Sequence, residues 1–265
     1  MLRAKKFCLF AILCSVGCAQ SDESIEPNLE SEDSGADAGT RSDPTPATAS
    51  MYVHSGDTLY VVNDQDFALI EVGPFNADGS MMDMAVPPDG DIYTVSYDAV
   101  YQVDKETGTA THRADVSSGN MGMTFLPNGT LLAADNAGGV RIIDPANGAV
   151  TEIGSFGNGY ALAGDLVAVA NGTMYGVADK GPSGDEATNN VLVTVDTSTG
   201  EASPIGPIGF ATVYGIAVAN DKVYAFTQPG EIIEIDPQSG VGTLVASYPE
   251  ISFYGAGVNP QAVID

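Results

Sequence analysis

The sequence predicts an all-β fold, a β-propeller of four-stranded antiparallel blades closed into a ring, on three observations. From Met81 to the C-terminus, one unit of about 40 residues recurs, the period of propeller blades. Each copy carries a hairpin, read as PPDGDIY (87–93), LPNGTLL (126–132), VANGTMY (169–175) and VANDKVY (218–224). Each copy then carries a strand that ends in Asp with Gly close behind, read as VDKETG (103–108), IDPANG (143–148), VDTSTG (195–200) and IDPQSG (235–240).

Aligning the units places blades at 81–119, 120–159, 160–211 and 212–250. The next blade is expected to be split between the chain ends. Tyr254-Gly-Ala-Gly-Val258 reads like Tyr214-Gly-Ile-Ala-Val218, a first strand with no second strand after it. SGDTLYVV (55–62) reads like the back half of a hairpin, and FALIEV (67–72) supplies a further strand. Sharing a blade between the N- and C-terminal strands leaves no open ring edge. The count is five blades, with six as the alternative.

Local chemistry supports each element. Asn128-Gly129 and Asn171-Gly172 accept positive φ in tight hairpins. Asp104, Asp144, Asp196 and Asp236 stand where a carboxylate can cap the amides of the following turn. Ile92, Leu131, Met174 and Val223 alternate with polar residues and are expected in the core between blades.

Residues 1–18 read as an export signal: a basic Met1–Lys6 segment and an apolar run from Phe7 to Val16. That run spans roughly 15 Å as a helix, about half a bilayer core. It ends in Ser15-Val16-Gly17-Cys18, which resembles a bacterial lipobox with Cys18 as the lipidated residue; Ser15 departs from the aliphatic residue that the pattern prefers. Cleavage after Ala19 without lipidation is the alternative. Cys8, Cys14 and Cys18 are the only cysteines, so the chain beyond them has no disulfide, thiolate nucleophile or cysteine-ligated metal. Residues 19–50 are a Ser-, Asp-, Glu- and Pro-rich tether with Ile25 and Leu29 as the only large aliphatics. A flexible segment of that length would span roughly 30 Å. The propeller domain is then 51–265.

The chain has 35 acidic and 9 basic residues, a formal charge of −26. From residue 51 onward the only cations are Lys105, Arg113, Arg141, Lys180 and Lys222. Nucleic acid and anionic lipid are unsuited to such a surface. Membrane association is expected only through the N-terminal lipid, and the domain is expected to be a monomer.

The N/D-G hairpin paired with a D-P-x-(T/S/N)-G turn resembles extracytoplasmic propeller families of the NHL, SMP-30-like and YncE-like kinds, over residues 55–260. The resemblance implies the architecture, and these turns are scaffold in every such family. Quinone-binding propellers share the D-x-x-TG element but follow it with Trp, which this chain lacks entirely. The SMP-30-like lactonases hold a central divalent metal on inner strands, a ligand set that this sequence matches only in part. Five-bladed glycosidases carry inner-strand carboxylates that Asp83 and Asp165 could mimic, without the third carboxylate or the aromatic platform.

Inner strands are expected to begin near Asp83, Gly122, Asp165, Tyr214 and Tyr254, ringing the channel mouth. Asp83, Asp135, Asn136, Asp165, Tyr214 and Tyr254 are therefore the candidate ligand-binding residues, and Asp83 and Asp165 the candidate catalytic pair. The loops expected on the same face are 63–66, 96–98, 135–139, 228–230 and the long 179–190. Asp179, Asp185 and Glu186 in the long loop are oxygen ligands of the kind Ca2+ takes, although their spacing is not that of an EF-hand. No cofactor is required. His112 falls in an outer strand, and His54 is read as preceding the first strand; neither supplies a base for a Ser-His-Asp or metal-hydrolase mechanism.

Three functional readings follow. The first is a surface-tethered module recognising a protein, glycan or small ligand on its loop face. The second is a metal-assisted lactonase, or a carboxylate-based hydrolase or lyase, centred on Asp83 and Asp165. The third is a structural envelope protein. Ala19 after Cys18 resembles the outer-membrane sorting pattern of Gram-negative lipoproteins, with inner-membrane retention or a secreted or periplasmic protein as the alternatives.

Overall fold

The computed structural model describes residues 51–116, 119–180, 190–262 and 264. Among these, twenty strands form five four-stranded antiparallel sheets. The first blade pairs β1 (Met51–His54), β2 (Thr58–Val62) and β3 (Leu69–Pro74) with the C-terminal β20 (Gly255–Gly257), which is its innermost strand. The second runs outward through β4 (Asp83–Ala85), β5 (Ile92–Val95), β6 (Ala99–Val103) and β7 (Ala110–Asp115). The third comprises β8 (Gly122–Phe125), β9 (Leu131–Ala134), β10 (Gly139–Ile143) and β11 (Val150–Ser155). The fourth is β12 (Tyr160–Ala168), β13 (Met174–Lys180), β14 (Val191–Val195) and β15 (Ala202–Pro207). The fifth is β16 (Val213–Ala219), β17 (Lys222–Thr227), β18 (Glu231–Ile235) and β19 (Gly242–Ser247).

The inner strands touch in the order β4, β8, β12, β16, β20 and back to β4, so the ring is closed. It is a five-bladed β-propeller, and the six-bladed alternative falls away. We call the end where inner strands begin the upper face. The lower face carries the first hairpin of each blade and the turns into the outer strands.

The split blade differs from expectation in one strand. Met51–His54 is a strand of its own, pairing with β20 through His54↔Gly255 and with β2 through His54↔Leu59. SGDTLYVV therefore holds the upper turn and the third strand of its blade. The strand is only four residues long, follows the polar stretch 19–50 in sequence, and pairs with an inner strand from the other end of the chain. The consequence is a change of face: the 63–66 loop joins the third and fourth strands and lies on the lower face.

The core lies between blades, and Ile92, Leu131, Met174 and Val223 are all buried in it. In every blade the pairing of third and outer strand slips at one equivalent place, as at Val100/Tyr101 and Ile232/Ile233. A bulge there adds right-handed twist and lets the outer strand wrap away from the axis. The lower-face aspartates cap their turns: Asp104 Oδ1 accepts from Glu106 N at 2.9 Å and Thr107 N at 3.0 Å, and Asp196 Oδ1 from Ser198 N at 2.8 Å. In the first blade Asn63 does the same for Gln65 N. Beyond β20 the chain crosses the lower end of the channel. Asn259 Nδ2 donates to Pro88 O in the second blade, and Ala262 O accepts from Ala170 N in the fourth.

Candidate functional site at the channel axis

Repeat alignment places Gly255, Asp83, Gly122, Asp165 and Gly215 at one level around the axis, so two carboxylates share the space with three glycines. An inner strand is a sheet edge whose amides face the channel, and these must find acceptors. The aspartates supply them across blade boundaries. Asp83 Oδ2, on β4, accepts from Met123 N of β8 at 2.5 Å. Asp165 Oδ1 accepts from Leu166 N at 2.5 Å, and its Oδ2 from Ile216 N of β16 at 3.0 Å. The Ala256 amide of β20 is also turned toward Asp165. Asp165 lies in the segment of β12 where the register slips, between Leu162 and Leu166.

The Asp83 and Asp165 carboxyl groups face each other within reach of a shared hydrogen, and both are fully buried. Two carboxyl groups in that contact require a proton between them. Burial, and then the neighbouring Asp165 charge, raise the Asp83 carboxyl well above the usual range. Burial pushes Asp165 up to about 8, against the pull of the hydrogen bonds from Asp83 and the amides. The pair titrates as a unit.

His54 is the third member of the cluster and the residue that the sequence reading missed. It ends β1, has no solvent exposure, and its Nδ1 lies 2.5 Å from Ser55 O. A carbonyl partner puts the proton on Nδ1 and leaves Nε2 with the lone pair. Burial holds this imidazole down to about 4. Among the described residues, His54 Nε2 and Asp83 Oδ1 are buried and receive no N–H or O–H donor. Both border the side-chain-free space at Gly255: a Cβ there would collide with Asp83 Oδ1 and stand 2.5 Å from His54 Nε2. The signal for this strand was present in the turn after it. Ser55-Gly-Asp57 matches Ser96-Tyr-Asp98 of the second blade, and in both the Ser hydroxyl donates to the Asp carboxylate.

Above the carboxyl pair, Tyr214 and Tyr254 stack with ring centroids 6.0 Å apart, and both are half-buried. Met82 and Met121, half-buried at the matching positions of the second and third blades, complete a largely apolar rim. Tyr97 projects from the upper loop of the second blade at 63 % exposure.

The remaining candidates do not converge on the axis. Asp135 caps its own turn through Ala137 N and Gly139 N, and its other oxygen pairs with the buried Arg141. Arg141 also donates to Asn120 and lies 3.5 Å from Glu152. Asn136 is exposed beside this pair. Asp179, at the end of β13, accepts from Asn190 Nδ2 at 2.9 Å, and Asn190 Oδ1 in turn receives Val213 N. Asp185 and Glu186 lie outside the described residues. Among the described residues no three His, Cys, Asp or Glu side chains are grouped to hold a metal ion. His112 is exposed on β7, bonded to Asp115, as an outer-strand position implies. A 450 Å³ cleft lined by Pro87, Pro88, Tyr93, Phe125 and Pro127 lies on the lower face, away from the carboxyl pair.

Several solved structures resemble this one. A symmetrical protein described in terms of its de novo evolutionary emergence has a TM-score of 0.53 at 13 % identity, covering 81 % of this chain and all of that one. Virginiamycin B lyase from Staphylococcus aureus gives 0.43 at 17 % identity, covering 72 % of this chain and 63 % of the lyase. TolB from Acinetobacter baumannii gives 0.46 at 17 % identity, covering 75 % of this chain and 52 % of TolB. The first of these likenesses speaks to the fold alone. No curated protein matches the chain. The PQQ_2 family, described as outer membrane protein assembly factor BamB, matches residues 31–242, most of the propeller, and the chain belongs to that family.

Proposed function

We propose that this protein is a β-propeller binding module of the bacterial cell envelope, holding a protein partner on its upper face. The observation that carries the reading is the use made of the axial carboxylates. Asp83 and Asp165 are buried and bonded to strand amides, which suits a sealed scaffold. An exposed Tyr97 and the Tyr214–Tyr254 stack leave the upper face as the recognition surface, and aromatic residues are favoured at such contacts. Membership of a family described by outer-membrane protein assembly supports a protein partner and an extracytoplasmic location.

The lipoprotein reading of Cys18, with outer-membrane sorting, fits this assignment. β1 begins at Met51 on the lower face, opposite the proposed recognition surface. Against a lactonase, hydrolase or lyase centred on Asp83 and Asp165 stands their lack of solvent access. Calcium binding by the 179–190 loop is a separate proposal, decided by calorimetric titration.

The test is photo-crosslinking in a Gram-negative envelope, with the probe at Tyr97 or Tyr254 and, as controls, at the outer-strand positions Ile70 and Leu244. Discrete protein adducts from the upper face alone are expected. Adducts from both sets, or from the outer strands only, would contradict the reading. Replacing Cys18 with Ala is expected to abolish lipid labelling and release the protein from the membrane fraction.

A further inference from the structure

The axial carboxyl pair has a chemistry of its own, independent of any partner. All five inner strands meet at it: β4 and β12 supply the two side chains, and β8, β16 and β20 supply the amides of Met123, Ile216 and Ala256. The hydrogen-bond pattern also says where a proton belongs. Both oxygens of Asp165 accept amide N–H groups, the arrangement of a carboxylate. Asp83 receives the Met123 amide on Oδ2, with the Met84 amide also turned toward its carboxyl, and Oδ1 is left without any N–H or O–H donor. Oδ1 is thus the atom free to carry hydrogen and donate it to Asp165.

We infer that Asp83 and Asp165 form a protonated clasp, Asp83 Oδ1–H donating to Asp165, which closes the ring across all five blades and loosens when that proton is lost. Among the described residues no positive side chain competes for the role. The titratable residues of the inner strands and of the segment leading into β20 are Asp83, Tyr160, Asp165, Tyr214 and Tyr254. The second strands packed on them add Tyr52, His54, Tyr93, Tyr175, Asp179, Lys180, Lys222 and Tyr224. Of the cations, Lys180 lies over the Tyr160 ring and Lys222 pairs with Glu234 on the lower side of the fifth blade. His54, the one base beside the pair, is held neutral by burial.

The sign of the pH dependence follows. An unfolded Asp loses its proton near 4, whereas in the folded pair Asp165 is raised to about 8 and Asp83 well above the usual range, so the shared proton is kept into that region. Stability from this source is complete below about 4 and falls as pH rises through that interval. His54 acts oppositely: an unfolded imidazole gains a proton below about 6.5 and the folded one only near 4, so its contribution is lost as pH falls. Between about 6.5 and 8 the pair acts without that opposition.

The test is a carboxyl carbon-13 NMR titration of the full chain labelled at Asp, with Asp83→Asn assigning the Asp83 resonance. The Asp83 carboxyl is expected to stay protonated from pH 5 to 7. Asn keeps the acceptor for Met123 and donates to Asp165 in place of the acid. The unfolding constant of the unsubstituted chain is therefore expected to rise about tenfold more per pH unit than that of Asp83→Asn between 6.5 and 8. Ionisation of the Asp83 carboxyl near pH 4, parallel pH dependences, or an imidazolium at His54 at pH 7 would overturn the clasp. If Asp83→Asn does not fold, the unsubstituted chain still decides: Asp carboxyls that all ionise below pH 5 overturn it.

Discussion

The channel axis and the lower-face turns use one device, an aspartate accepting backbone amides, with opposite electrostatic outcomes. At the lower face, Asp196 is solvent-exposed, and bonds from Ser198 and Thr199 pull its carboxyl down to about 2. At the axis, Asp165 makes comparable amide bonds, yet burial raises its carboxyl to about 8, so the pair it forms with Asp83 holds a proton. Burial decides whether the charged form is favoured. A turn aspartate stabilises four or five residues of its own blade, whereas an axial one joins strands far apart in sequence.

The largest test of this contrast is Asp83→Ala. It leaves Met123 N buried without an acceptor and Asp165 without its proton donor, at a cost of about 4 kcal/mol in urea unfolding. A loss no larger than that of a surface alanine would erase the distinction between the regions. Gly255→Ala comes next, because its Cβ would meet Asp83 Oδ1, His54 Nε2 and Asp83 Cα. Overpacking there is expected to cost about 3 kcal/mol, read in the same assay. The Tyr214–Tyr254 stack sharpens the comparison at the rim, where a double-mutant cycle is expected to give a coupling of about 1 kcal/mol. Smallest is Asp236→Ala, a lower-face cap exposed to solvent, which should lower the melting temperature only slightly.

The pH profile separates the regions by window. The Asp196 carboxyl is depressed, so its contribution is present above about 4 and lost as pH falls through about 2. The axial pair gives its change between about 4 and 8, in the opposite sense.

Much of the fold was legible because each blade repeats its own turn chemistry. Asn128-Gly129 and Asp144…Gly148 mark their hairpins whatever surrounds them. Tyr254-Gly-Ala-Gly-Val258 could be matched to Tyr214-Gly-Ile-Ala-Val218 for the same reason. Met51–His54 lacks an Asn-Gly hairpin before it, since the inner strand it pairs with is at the far end of the chain; its one mark is the Ser55-Gly-Asp57 turn, and with the strand went the 63–66 loop and His54. Asp83 and Asp165 could be named as axial from alignment alone. Their approach to each other could not, because it depends on two strands meeting across the ring. Nor does spacing reveal that Asp135 is committed to Arg141, six residues later on the next strand.

The most direct measurement compares urea unfolding of the unsubstituted chain, Asp83→Asn and Asp236→Asn from pH 5 to 9. With a proton held at the axis, Asp83→Asn should gain on the unsubstituted chain as pH rises, while Asp236→Asn stays below it throughout. Two variants offset from the unsubstituted chain by constant amounts across the range would contradict the account.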